Sequence, residues 1–176
     1  MNNMGMKLRS IHVVNSDIEK VSLCLSNCQM TDENIHDFET DFYILQSDNV
    51  ISIYSTYFEE NFNIKEFRSW FAGEDCYVLF SDYYEDTYIK IDLFKKYRFL
   101  TPLIIQNEVD KISLQSIFKV SEINSAFSIK ENDLTASFSS LEEYLQYFSS
   151  LLNIPFNRSL SDIIEYPKVE CISFYI

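Results

Sequence analysis

The stretch that decides the fold is Cys76–Leu93, which reads CYVLFSDYYEDTYIKIDL. Its second half alternates between two sets of side chains that an extended backbone places on opposite faces: Ile89, Ile91 and Leu93, against Tyr88, Lys90 and Asp92. Its first half is apolar and aromatic, as strands commonly are, and polar residues separate the two halves. The stretch therefore predicts a β-hairpin formed by Cys76–Ser81 and Thr87–Leu93.

Apolar runs bounded by turn residues recur on both sides of this hairpin. The triplet Ser47-Asp48-Asn49 is typical of a tight turn and predicts a second hairpin. The further strands predicted in this way are Leu8–Val14, the hairpin Asp41–Gln46 with Val50–Tyr57, Leu103–Gln106, Ile112–Val120, the hairpin Ala126–Ile129 with Leu134–Phe138, and Val169–Ile176.

Helical spacing of apolar residues appears between these strands. Four helices are predicted. The first begins at Ser16, the second and third span Thr31–Glu39 and Asn63–Ala72, and the fourth begins at the cap Ser140 and ends before Pro155. Ser16 with Glu19, and Ser140 with Glu143, match the spacing of a capping box. Hairpins with three or four interspersed helices predict an α+β fold with a mostly antiparallel sheet, and residues 1–176 are expected to form a single domain.

Glycine is nearly absent, since only Gly5 and Gly73 occur in 176 residues. Phosphate-binding loops, dinucleotide fingerprints and nucleophile elbows all need glycine or small residues where the backbone turns sharply or approaches a ligand. The chain contains none of these motifs. A pair of carboxylates, as in glycoside hydrolases, needs no glycine, but 27 acidic residues offer too many pairs to single one out.

The residues that bind metals or act as nucleophiles are few and poorly spaced for either role. Cys24 and Cys28 share one helical face without a second ligand pair, so they are interpreted as buried apolar residues, as are Cys76 and Cys171. His12 lies in a strand pattern and is interpreted as a solvent-facing or hydrogen-bonded strand residue. His36, with Glu39 and Asp41 nearby, lacks the glycine of a calcium loop. We therefore predict no metal, no cofactor and no catalytic residue.

The charge of the chain is concentrated in one segment. The net charge is −13, and residues 32–92 alone hold fifteen acids and three bases, a net charge of −12. Such a field steers basic partners and repels nucleic acid, whose phosphates require a stripe of Lys and Arg. The short run Lys95-Lys96-x-Arg98 is the one basic cluster, and it is interpreted as a surface edge. Acidic loops also keep proteins soluble, so a merely solvated face is the competing interpretation.

The acidic segment is also rich in tyrosine, which is common at binding hot spots. Together these features favour an acidic inhibitor, such as an immunity protein that neutralises a basic toxin or nuclease. The alternatives are a module like a secretion chaperone, which binds an extended segment, and an inhibitor that mimics nucleic acid. No segment has the apolar length of a membrane helix, and the free thiols favour the cytoplasm. The expected contact residues are Asp82, Tyr83, Tyr84, Glu85, Asp86, Glu59 and Glu60.

Overall fold

A computed structural model of the chain describes residues 7–28, 39–55, 58, 63–84, 88–95, 98–106, 112–113, 137–156, 158–165 and 169–175. The strands in these ranges are β1 (Lys7–Val14), β2 (Glu39–Ser47), β3 (Val50–Tyr54), β4 (Tyr77–Tyr84), β5 (Tyr88–Lys95), β6 (Arg98–Gln106), β7 (Ile112–Ser113), β8 (Ser137–Phe138) and β9 (Val169–Tyr175). The helices are α1 (Ile18–Asn27), α2 (Ile64–Phe71), α3 (Leu141–Leu152) and α4 (Leu160–Ile164).

Seven of these strands form one sheet in the order β6-β5-β4-β1-β3-β2-β9. Every neighbouring pair in it is antiparallel, which confirms the predicted α+β fold. Both predicted hairpins at its centre are present, and β1 lies between them. The β2–β3 turn uses a left-handed backbone at Asp48, with φ 49°, which aspartate tolerates better than most residues.

Several predicted elements differ from the structure or lie outside the described residues. Of the predicted strand Ile112–Val120, only Ile112–Ser113 is described, as β7. β6 begins at Arg98 rather than after Pro102, because a proline that cannot donate a ladder hydrogen bond is tolerated on an edge strand. Ser137 and Phe138 pair with Ile112 and Ser113, whereas their predicted partner, 126–129, lies outside the described residues. The predicted helix over Thr31–Glu39 lies outside them too, except that Glu39 begins β2.

At the centre of the sheet, both faces pack against helices. One face, which we call the α3 face, packs Tyr54, Leu79 and Ile91 against Tyr144 and Phe148 of α3. The opposite face, called the α1–α2 face, packs strand residues such as Ile11 and Val78 against α1 and α2. Since full burial of one large apolar side chain contributes roughly 1.5–3 kcal/mol, these two layers supply a large hydrophobic stabilisation of the sheet.

The helix starts follow side-chain capping, though not always at the predicted residue. In α1 the predicted cap Ser16 is wrong: Asp17 Oδ1 accepts from the Lys20 amide at 2.8 Å. The chain before this cap turns at Asn15, which has a left-handed backbone with φ 62°. In α3 the cap Ser140 is confirmed, since its hydroxyl oxygen accepts from the backbone amide three residues later at 3.2 Å. No helix in the described part of the chain is long and apolar enough to cross a membrane.

Candidate functional site

The strand register divides the described acidic residues of segment 32–92 between the two ends of the sheet. Glu39, Asp41 and Asp82 lie toward one end, and Asp48 and Asp75 lie toward the other. Lys7, Tyr84, Tyr88 and Gln106 form one cross-strand row, and we call this end of the sheet the Tyr84 end. On the other side of β1, β3 finishes and β2 starts at the same end. The two described residues that flank segment 85–87, Tyr84 and Tyr88, therefore lie at the Tyr84 end.

The predicted contact residues do not share one face of this end. Asp82 lies on the α1–α2 face, whereas Tyr83 is 7% exposed and packs in the core on the α3 face. The Tyr84 ring stacks on that of Tyr88, with centroids 6.0 Å apart and an interplanar angle of 8°. Tyr83 thus offers little surface to a partner, and Tyr88 joins Tyr84 instead. Glu85, Asp86, Glu59 and Glu60 lie outside the described residues.

A row of alternating charge crosses the α1–α2 face beside this tyrosine pair. Arg9, Asp82 and Lys90 are register partners on β1, β4 and β5. Arg9 Nε lies 3.4 Å from Asp82 Oδ1, and Arg9 also donates to the carbonyl of Phe58 at 3.2 Å. Lys90 Nζ lies 3.0 Å from Asp92 Oδ2 on the same strand. The charge of Asp82 is therefore partly compensated within the chain itself.

These four charged side chains line a cavity together with Ile64, Phe80 and Phe94, and we call it the Asp82–Asp92 cavity. Its volume is about 270 Å³. Sites for cofactors and drug-sized ligands usually occupy roughly 300–1,000 Å³. The cavity therefore suits a single side chain or a fragment better than a cofactor.

One wall of the cavity adjoins two polar atoms that have no hydrogen-bond partner among the described residues. These atoms are Arg68 Nε on α2 and Asp92 Oδ1 on β5, and both are buried. The Arg68 guanidinium lies 3.6 Å from the centroid of the Phe94 ring. Burial lowers the pKa of Arg68, and the charge of Asp92 opposes that shift. An unpaired buried acceptor costs about 1–3 kcal/mol, and the neighbouring positive charge of Arg68 offsets part of that cost at Asp92.

A second polar cluster lies at the middle of the sheet, on the α3 face. The His12 imidazole is fully buried, and both of its nitrogens lie 2.8 Å from hydroxyl oxygens, those of Ser10 and Ser52. Ser10 in turn bonds to Ser81 at 2.5 Å. Phe156 packs edge-on against the imidazole, with ring centroids 5.1 Å apart. His12 is thus a hydrogen-bonded strand residue, as one of the two interpretations held, but not a solvent-facing one.

The His12 cluster has the atoms of a nucleophile and a base but no access for a substrate. Burial lowers the pKa of His12 to about 3, so the imidazole is neutral at physiological pH. A general base works best with a pKa near the operating pH, and a nucleophile must be reachable. His12 and Ser10 are both fully buried, so we interpret the cluster as part of the core.

The four cysteines divide into three buried thiols and one exposed thiol. The Sγ atoms of Cys24 and Cys28 lie 3.7 Å apart, and their hydrogen bond, followed by burial, raises the pKa of Cys24. Burial raises the pKa of Cys76 to about 11. The expectation that Cys171 is buried was wrong: it lies on β9, an edge strand, and is exposed.

Metal ligands do not gather anywhere in the described ranges, where no three His, Cys, Asp or Glu side chains lie close enough to hold an ion. His36 lies outside those ranges. The basic run at the β5–β6 junction is partly engaged, because Lys95 bonds to both Tyr77 and Asp75 at 3.1 Å.

Comparisons with known proteins return no relative for this arrangement. The chain matches no protein-family model, no curated protein and no solved structure. The charge distribution and the geometry of the Tyr84 end are therefore the features of this chain that bear on its function.

Proposed function

We infer that this chain is an acidic, non-enzymatic inhibitor, most simply an immunity protein of the antitoxin type that acts in the cytoplasm. Its partner is a basic protein such as a toxic nuclease, whose positive substrate-binding surface the inhibitor occupies or overlaps. A nuclease must be positive where it binds phosphates, so a negative inhibitor meets that surface with complementary charge.

The observation that carries this proposal is the concentration of charge, with −12 in residues 32–92 out of −13 in the whole chain. The described part of that segment contributes Asp82 to the Tyr84 end, on the same strand as Tyr84. A field of one sign raises association rates by about 10–10³-fold at low salt. The charge thus supplies speed and selection of the partner.

Tightness needs apolar contact as well as charge. The stacked rings of Tyr84 and Tyr88 are half-buried, so each offers a rigid surface and a hydroxyl to a partner. Aromatic residues of this kind, ringed by polar groups, are common hot spots. Asp82 contributes less than its position suggests, because Arg9 already compensates part of its charge.

The test begins with capture of partners from the source organism, including the product of the adjacent gene, at about 50 mM and about 500 mM salt, between which the Debye length falls from roughly 14 Å to about 4 Å. The proposal requires one basic partner whose catalytic activity the captured chain silences. Capture that survives high salt unchanged, or a partner without a basic surface, contradicts it.

Association kinetics with that partner then locate the surface. Glu85→Ser with Asp86→Ser should slow association and flatten its salt dependence. The matched control is Glu165→Ser with Glu170→Ser, which removes the same charge from two exposed positions, the C-cap of α4 and strand β9. Equal slowing in both variants would mean that net charge acts without a defined contact surface, and no slowing in either would remove the acidic segment from the interface.

A second candidate function has its own observation, which is the edge strand β9. Val169–Tyr175 pairs with β2 along one side, and on the other it has no strand partner among the described residues. It contains no proline, lysine or arginine, and Glu170 is the one charged residue that protects this edge. A module like a secretion chaperone could add an extended segment there. Binding of that kind tolerates high salt, so the two-salt capture separates it from charge-steered inhibition.

A further inference from the structure

The Asp82–Asp92 cavity places its carboxylates deeper than its cations. The side chains of Asp82 and Asp92 are 20% and 21% exposed, whereas those of Arg9 and Lys90 are 30% and 42% exposed. The cations therefore lie closer to the rim, and the acceptors lie closer to the floor. A group entering the cavity therefore passes the two cations before it reaches oxygen acceptors flanked by aromatic rings.

The acceptors in this cavity are only partly satisfied. Asp92 Oδ1 is buried without a hydrogen-bond donor in the described part of the chain. Asp82 Oδ1 accepts from Arg9 Nε at 3.4 Å, and this long contact is not a bidentate pair. A planar group with several N–H donors fits these two carboxylates better than a compact ion does.

The chain itself shows which cation the aromatic wall accepts. The Arg68 guanidinium stacks 3.6 Å from the centroid of Phe94, a ring that also lines the cavity. Guanidinium groups are weakly hydrated and pack on aromatic faces more readily than ammonium groups.

We propose that the Asp82–Asp92 cavity binds an arginine side chain presented by the basic partner. The guanidinium enters between Asp82 and Asp92, and its stem packs on Phe80 and Ile64. Lys90 swings into solvent as Asp92 exchanges its intramolecular cation for the incoming one. That exchange costs little, because an ion pair with a lysine 42% exposed is worth little. This assignment rests on the proposed function, since it specifies how a basic partner is recognised.

The test uses N-acetyl-L-arginine N-methylamide as the probe and ¹H–¹⁵N NMR of the full chain at constant ionic strength. We expect saturable shifts of backbone amides at residues 80–82 and 90–94, with a dissociation constant of roughly 1–10 mM, which suits a single side chain. N-acetyl-L-citrulline N-methylamide has the same shape without the charge and should leave these amides unmoved. Sodium acetate tests the opposite assignment, an anion site on Arg9 and Lys90.

Two substitutions with opposite expected signs keep the test decisive. Asp92→Asn should weaken the probe roughly tenfold, because it removes a charge-assisted acceptor. Lys90→Met should tighten it about threefold, because it removes the competing cation. Asp75→Asn is the matched control, since this carboxylate is 84% exposed and pairs with Lys95 near the opposite end of the sheet.

The outcomes separate cleanly. Loss of probe binding in Lys90→Met, shifts of the same amides with acetate, equal binding of the citrulline probe, or no saturable shift would each overturn the cavity assignment. None of these results bears on the proposal that the chain is an acidic inhibitor, because no partner protein is present in the measurement. The salt-dependent association experiment decides that proposal separately.

Discussion

The buried imidazole of His12 should make the stability of the protein fall in mild acid. Its pKa is about 3 in the folded chain, against 6.5 for an ordinary histidine. A group whose folded pKa is depressed binds its proton more readily in the unfolded chain. Its contribution is therefore fully present above pH 6.5 and is lost as the pH falls from there toward 3. Between pH 7 and pH 4.5 the loss amounts to about 2.5 kcal/mol, at 1.36 kcal/mol per pH unit.

The variant His12→Gln isolates this loss from the titration of the carboxylates. Glutamine keeps an amide that can bond to Ser10 or Ser52 but carries no titratable group. Urea unfolding of both proteins at several pH values between 7 and 4.5 gives the difference in their free energies of unfolding. We expect the advantage of the wild-type protein to shrink by about 2.5 kcal/mol across this range. A difference that stays constant to within about 0.5 kcal/mol would refute the reasoning, because the folded imidazole would then take up its proton as readily as the unfolded one.

Three further predictions concern the core, a helix cap and the thiols. Phe156→Ala, which removes the ring that covers His12, should lower the free energy of unfolding by about 3–5 kcal/mol in urea titrations. Asp17→Ala should cost about 1 kcal/mol by loss of the α1 cap, whereas Ser16→Ala, whose hydroxyl has no partner among the described residues, should stay within about 0.5 kcal/mol; equal costs would contradict the capping assignment. A thiol reagent should label one cysteine rapidly in the native protein and none in Cys171→Ser, and fast labelling of that variant would show that a buried thiol opens.

The sheet could be predicted because its strands carry their pattern locally. The alternation through residues 88–93 gives both the strand and its two faces, and β5 spans it. The helix stripe from Leu141 to Leu152 likewise carries its own cap and period, and α3 follows it. In such segments the local preference agrees with the tertiary fold, so no information from elsewhere is needed.

The candidate site could not be predicted in the same way, because it depends on pairing across the sheet. Arg9 meets Asp82 only through the register between β1 and β4, although 73 positions separate them in the sequence. The alternation of Tyr88, Lys90 and Asp92 was the one local signal, since it places three polar side chains on one face of β5. The burial of His12 also depends on its contact with Phe156. The two residues are far apart in the sequence, so no local pattern predicts this contact.

The position of β1 at the centre of the sheet has a consequence for how the chain assembles. This first strand pairs with β3 on one side and with β4 on the other, and β2 gains its outer neighbour only when β9 joins it. The two central hairpins can form from local contacts, but the sheet must close over long stretches of intervening chain, which slows folding. During synthesis the edge of β2 stays open until the register partners of Phe42 and Ile44, residues 172 and 170, have left the ribosome. During that interval the open edge of β2 in the nascent chain can pair with a wrong strand. A partner or chaperone that covers β2 at that time would raise the yield of folded protein.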